Sequence, residues 1–280
     1  MGGRFHAFSF VDRITEVVPG VRARGMYQVP AGLDVFPSAL VAEAVGQLAA
    51  WASMAKLEFS RRPVAGLARE TRFLRRVRPG DVLTLEAELE SCTDDDVAYS
   101  GRATVDGEAV IALDQCLGPM LPAEDFDDPQ ALRRDYALLC GAGAPSGRLT
   151  GLPTLELERG ETVPGERAAG TLRVPDAAAF FEDHFPRRPV FPATLLLDRL
   201  NHLALEAARG AYSLRANEEI SVNRVLDVKV RTFIPPGEVL ELAAQRVETD
   251  DKLWSARLSA RANGKPVATA KVEIVKGGRA

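Results

Sequence analysis

Imidazole chemistry in this chain has to start from His6, His184 or His202, since the sequence holds three histidines. His184 is set apart by the run on its C-terminal side: Phe185-Pro186-Arg187-Arg188-Pro189-Val190-Phe191-Pro192-Ala193-Thr194-Leu195-Leu196-Leu197-Asp198. Prolines at every third position stiffen a loop, and the last of them suits a helix start, where its fixed φ costs nothing. An acid, Asp198, stands six residues beyond Pro192. A neutral imidazole with an ordinary pKa near ~6.5 can accept a proton at near-neutral pH, so the pattern points to acid–base chemistry. A lone histidine before a helix would more often be structural; the spaced prolines and the acid reverse that balance. Cys92, Cys116 and Cys140 are odd in number and widely spaced. They form no metal-ligand pattern and no disulfide framework, and read as inert thiols.

A second acid sits in a matching context. Phe36-Pro37-Ser38-Ala39-Leu40-Val41-Ala42-Glu43 places Glu43 six residues after Pro37, as Asp198 follows Pro192, and Gln47 lies one helical turn further on. No histidine precedes it. Val29-Pro30 reaches Phe36-Pro37 over eight residues, 29 to 36, whereas Val174-Pro175 reaches Phe191-Pro192 over eighteen, 174 to 191. The ten residues of difference hold His184 and its prolines.

These side chains must be placed by an internal repeat, which is sought first because missing it misreads the fold. Arg78-Pro79-Gly80-Asp81-Val82-Leu83 returns as Pro235-Pro236-Gly237-Glu238-Val239-Leu240, a period near 157 residues. Val18-Pro19-Gly20 is echoed by Val163-Pro164-Gly165, and Asp106-Gly107 by Asn263-Gly264, the latter pair being hairpin signals between alternating runs. Each copy carries one largely apolar helix, from Ser38 to roughly Phe59 and from Thr194 to roughly Arg209. Both are expected to be wrapped by sheet rather than laid on a surface. Strand, strand, central helix and several antiparallel strands in each copy describe a helix enclosed by a curled sheet. The expected organisation is α+β, with an N-terminal domain over 1–121, a crossover helix (Gln130 to Leu139) and linker over 122–151, and a C-terminal domain over 152–280.

The run from His184 to Asp198 resembles the active-site signature of the bacterial 3-hydroxyacyl-(acyl carrier protein) dehydratases, whose His-Phe-Pro leads through two further prolines into a central helix, with an acid fourteen positions after the histidine. Glu43 and Gln47 resemble the family's Glu-Ala-x-x-Gln helix. Arg187 and Ala193 stand where the family usually has glycine. The resemblance implies a tandem, or double, hot-dog fold forming a pseudo-dimer within one chain, with further homodimerisation open. It implies that histidine and acid come from different hot dogs, so that His184 should face Glu43, while Asp198 marks a vestigial site without an imidazole partner. His184 would remove the α-proton of a 3-hydroxyacyl thioester and Glu43 would assist departure of the hydroxyl. Backbone N–H groups at the first helix start, Ser38 and Ala39, would hold the carbonyl. Gln47, Phe185, Pro186 and Pro192 would support them. Leu40, Val41, Leu195, Leu196 and Leu197 are candidates for an acyl tunnel, though core packing explains each more simply. No cofactor or metal is required.

Hydrophobic residues make up 46% and charged residues 26% of 280, ordinary for a folded protein. A net charge of −4 argues against nucleic acid as a partner. No apolar run approaches the ~20 residues needed to cross a membrane, and the N-terminus lacks the apolar core of a secretory signal, so the expected location is cytoplasmic. The expected partner is an acyl carrier protein or coenzyme A carrying the thioester. Arg61, Arg62, Arg72, Arg75, Arg76, Arg78, Arg187 and Arg188 could steer an acidic carrier or be simple solvated charge. Two other readings stand beside the dehydratase: a hot-dog acyl-thioesterase using Glu43 or Asp198, and a non-catalytic acyl-carrier-binding component.

Overall fold

The structure, a computed structural model, describes residues 5, 7–144, 149, 154–215, 218–249 and 253–277. His6 and part of the linker lie outside these. In the first copy the chain forms β1 (Arg13–Val18), β2 (Arg22–Gln28), α1 (Ser38–Lys56), β3 (Arg61–Pro63), β4 (Leu67–Phe73), β5 (Val82–Cys92), β6 (Asp96–Val105) and β7 (Glu108–Pro122). A 3-10 turn and α2 (Pro129–Cys140) come next. The second copy contributes β8 (Leu157–Val163), β9 (Arg167–Arg173), α3 (Phe180–Asp183), α4 (Ala193–Arg209), β10 (Ile220–Val230), β11 (Val239–Thr249), β12 (Leu253–Ala262) and β13 (Lys265–Lys276).

Sheet order is β1-β2-β5-β6-β7-β4-β10-β13-β12-β11-β9-β8, with β3 paired to β7. Each half therefore has the same internal order, and the halves meet at antiparallel β4 and β10, where Thr71 lies opposite Val225. This is a tandem hot dog: two curled antiparallel sheets fused edge to edge, each around its own helix. At the repeated turns Asp106, Gly107, Asn263 and Gly264 all have positive φ, the backbone that a two-residue hairpin demands.

Small residues let the sheet close on the helices. Ala39, Ala44, Ala49 and Ala52 of α1 are buried together with Leu40, Val41, Val45, Leu48, Trp51 and Met54. On the strand side, a Cβ at Gly101 would lie 2.5 Å from the Glu86 carbonyl oxygen and 2.6 Å from Val45 Cγ1, so only glycine allows β6 to run this close. α1 ends at Lys56, a turn earlier than its composition suggests, because Glu58 and Phe59 adopt positive φ and turn the chain into β3. α2 starts at Pro129 behind Asp128, whose carboxylate accepts the Gln130 N–H at 3.0 Å. It lays Tyr136 against Trp51 and Phe59.

Candidate active site

The extra ten residues of the second copy fold as α3 and the loop into α4. His184 caps α3 at its C-terminal end, its N–H donating to the Phe180 carbonyl at 2.9 Å. Its ring Nδ1 lies 2.8 Å from the Val190 carbonyl oxygen. A carbonyl can only accept, so Nδ1 carries the hydrogen and Nε2 keeps its lone pair. The ring is stacked on Phe185, with centroids 4.1 Å apart, and meets the edge of Phe8 at 5.4 Å. Burial holds the imidazole below its ordinary pKa; the Glu43 charge and the Val190 carbonyl pull the other way, and the Arg62 guanidinium adds to the lowering. The base is thus kept neutral and oriented.

His184 and Glu43, 141 positions apart in sequence, line one cavity of about 230 Å³ between the halves. Glu43 is held at both oxygens: Gln47 Nε2 donates to one at 3.0 Å and Thr194 Oγ1 to the other at 2.8 Å. Gln47 is itself fixed by the backbone, accepting from the Phe10 N–H at 2.8 Å and donating to the Phe8 carbonyl at 3.0 Å. Gln47 and Phe185 line the cavity as well, whereas Pro186 and Pro192 shape the loop without lining it.

Ser38 and Ala39, the helix start expected to hold the thioester carbonyl, do not both stand on the His184 cavity. Ser38 borders a second cavity, and Ala39 borders both. The helix start on the His184 cavity is that of α4, at Ala193 and Thr194. The reason is local: the histidine loop runs straight into α4 at Pro192, so the ring stays beside its own helix start, and α1 offers its flank. Pro192 places no side-chain cap over α4; its carbonyl accepts the Leu195 and Leu196 N–H groups at 3.1 and 3.2 Å, and the first two N–H groups, of Ala193 and Thr194, have no intrahelical acceptor. Of the tunnel candidates, Leu40, Val41, Leu195 and Leu196 are core, and Leu197 alone lines the cavity.

Asp198 stands on the second cavity with Val35 and Phe36 of the shortened segment. It has an imidazole neighbour, supplied one turn along its own helix: His202 Nδ1 lies 2.7 Å from the Asp198 carbonyl oxygen and 3.5 Å from its carboxylate. Arg199 also pairs with that carboxylate. Asp198 and His202 line the second cavity, away from His184.

Four contributors escape a motif search. Thr194 orients Glu43. Asp183 accepts the N–H groups of Phe5, Ala7 and Phe8 at 3.1, 2.8 and 2.8 Å, tying the N-terminal segment against the histidine loop. Phe8 supplies a wall. Arg62 pairs with buried Asp127 and lies over the Phe185 ring at 4.1 Å. Thr194 lies inside the run from His184 to Asp198 and Asp183 directly precedes it, whereas Phe8 and Arg62 come from segments far away in sequence. Much of the expected arginine patch is occupied: Arg188 lies over Phe233, Arg75 pairs with Glu108, Arg76 with Glu219, and Arg72 with Glu70. Cys116 lines the cavity, but burial pushes its thiol up to about 11, so it stays un-ionised and poorly nucleophilic. Among the described residues no group of three or more His, Cys, Asp or Glu is placed to hold a metal ion, and no helix is long and apolar enough to cross a membrane.

Residues 160–271 match the family described as ApeI-like, ApeI dehydratase. The chain is 37% identical over 121 residues to the 3-hydroxyacyl-(acyl-carrier-protein) dehydratase FabZ of Bacillus subtilis, covering 39% of this chain and 85% of that protein. It is 35% identical over 127 residues to the FabZ of Caldicellulosiruptor bescii, covering 41% and 87%. Among solved structures, the tesB protein of Mycobacterium avium subsp. paratuberculosis superposes with a TM-score of 0.59 at 18% identity, covering 93% of this chain and 94% of that one. A hot-dog protein of unknown function from Alicyclobacillus acidocaldarius gives 0.56 at 15%, covering 97% and 98%. At such identities these structures are alike in fold alone.

Proposed function

Because the chain belongs to the 3-hydroxyacyl-(acyl-carrier-protein) dehydratase family, we propose that it converts a 3-hydroxyacyl thioester to a trans-2-enoyl thioester, at a site shared by its two hot dogs. The observation that carries this reading is a histidine with a free Nε2 and a doubly held carboxylate from the other half on one cavity.

Nε2 of His184 takes the C2 proton, which the adjacent thioester carbonyl acidifies. The Ala193 N–H at the start of α4 stabilises the negative charge that develops on that carbonyl oxygen. The C2 electron pair becomes the C2–C3 double bond as the C3–O bond breaks. The proton on the imidazolium passes, through a water held by the Glu43 carboxylate, to the departing hydroxyl, which leaves as water, so that His184 is neutral again and Glu43 ends as it began. Gln47 and Thr194 keep the carboxylate aimed. The acyl chain runs along the apolar side of the cavity, past Trp51, Met54 and Leu113, and the thioester arrives on the pantetheine arm of an acyl carrier protein or coenzyme A. Fatty-acid or polyketide synthesis would use such a step in a cytoplasmic setting.

Purified protein should interconvert 3-hydroxyacyl and enoyl thioesters, read by enoyl absorbance, with several chain lengths on both carriers. Release of free thiol without enoyl product would make it a thioesterase instead, and no reaction with any of them would leave an acyl-carrier-binding component. His184→Ala should lower turnover by about 10²–10⁴-fold, the range for losing a positioned acid–base group.

A further inference from the structure

The His184 cavity follows one face of α1, where Glu43, Gly46, Ala50 and Met54, spaced three or four apart, all line it. At a helical rise of about 1.5 Å per residue, Gly46 stands about 4.5 Å beyond Glu43 and Met54 about 16 Å beyond. Gly46 is out of place by helix propensity, since glycine is the poorest interior helix residue after proline. A phenol takes up the room of its missing side chain: a Cβ there would stand 3.1 Å from the Tyr99 hydroxyl oxygen.

Tyr99 belongs to β6 and lines the same cavity. Its ring therefore reaches from sheet to helix one turn past Glu43, before the apolar far end at Trp51, Met54 and Val97. The hydroxyl is hydrogen-bonded to the Cys116 thiol of β7, and burial keeps it protonated by pushing its pKa well above the usual range. A ring anchored by its backbone in β6 and by its hydroxyl between Cys116 and α1 has little freedom to move aside.

We propose that Tyr99, admitted by Gly46, narrows the path of the acyl chain and so selects among substrates: straight chains pass it, and chains carrying a branch at its level do not. An extended chain advances about 1.2 Å per bond, a third of the reach of one extended residue, so the constriction meets it about four bonds beyond C3, at about C7. The class of ligand rests on the dehydratase reading. The narrowing itself rests on the contact between the phenol and α1.

Calorimetric titration of the full chain with decanoyl-pantetheine and 7-methyldecanoyl-pantetheine, saturated thioesters that cannot lose water, tests this. The parent should bind the straight chain about tenfold more tightly or better, the lower end of what one misplaced methylene is worth. In Tyr99→Leu, which withdraws the ring from α1, the preference should fall below about threefold. In Tyr99→Phe, which loses the oxygen alone, it should lie between the two. The preference is a ratio of affinities within one preparation, so loss of folded protein alters the stoichiometry and not the result. Equal binding of both chains by the parent overturns the proposal, as does a preference that neither variant alters. A preference lost in Tyr99→Leu, with no enoyl formed from 3-hydroxydecanoyl-pantetheine, would sink the dehydratase reading and leave this one standing. Enoyl formation by the parent from 3-hydroxydecanoyl- and 3-hydroxy-7-methyldecanoyl-pantetheine at equal kcat/KM would do the reverse.

Discussion

At the scale of single residues, His184 is governed by what surrounds the ring. Burial lowers its pKa, Glu43 raises it and Arg62 lowers it. The active form is the neutral base, so activity is lost as pH falls through the pKa of the folded protein. The acid limb of kcat/KM should therefore have its midpoint below the ordinary ~6.5. Removing the carboxylate charge in Glu43→Gln takes away a raising influence and should move that limb lower still, besides reducing kcat; removing the guanidinium in Arg62→Met should move it upward. Profiles of rate against pH for the three proteins check both directions, and a common midpoint would contradict the assigned causes. Asp183 acts by position. Asp183→Ala leaves three backbone N–H groups without their acceptor, each worth about 1–3 kcal/mol if left buried. Hydrogen exchange at Ala7 and Phe8 should accelerate at least tenfold, with KM rising more than kcat falls, because the wall formed by Phe8 loosens.

At the scale of elements, the helices carry the site and the sheet sets how near they come. β6 approaches α1 only because position 101 lacks a side chain. Gly101→Ala would press a methyl group onto the Glu86 carbonyl and Val45, and overpacking of this kind costs about 1–3 kcal/mol. Chemical denaturation should show that loss. The same substitution at Gly107 meets no atom within 4 Å, but its φ of +81° favours glycine, so the cost there is backbone strain without a clash. Both helices were legible in sequence from proline entries and apolar composition, and the Asp-Gly and Asn-Gly turns from residue type alone. α3 was not, because four residues show no period. The end of α1 was displaced because its apolar run continues through Leu57 and Phe59 while the backbone has already turned.

At the scale of the whole molecule, the two hot dogs share one sheet and one core. Arg224 of β10, held within its own half by Glu273 of β13 at 2.6 Å, ties the seam by pairing with Glu70 of β4 at 3.3 Å. α1 and α4 lie against each other beneath it. A seam continuous in hydrogen bonds and apolar contact leaves neither half a complete surface of its own. Thermal unfolding should be a single transition with calorimetric and van't Hoff enthalpies that agree. Two resolved transitions would mean that the halves are energetically separate, and the shared site would then open before either core melts.

The sequence by itself determined the repeat, the two central helices, the turns, the histidine on its proline-spaced loop and the acid six residues into each helix. These come from local rules: proline fixes φ, glycine permits positive φ, and a helix returns a face every three or four residues. Tertiary structure alone decided that His184 shares a cavity with Glu43 and that Thr194 holds the Glu43 carboxylate from the other half. Those pairings depend on how β4 meets β10 and how α1 crosses α4. Such contacts join residues some 140 to 155 positions apart, where no spacing rule reaches. His184 was visible as a residue; as half of a site, it depends on the seam.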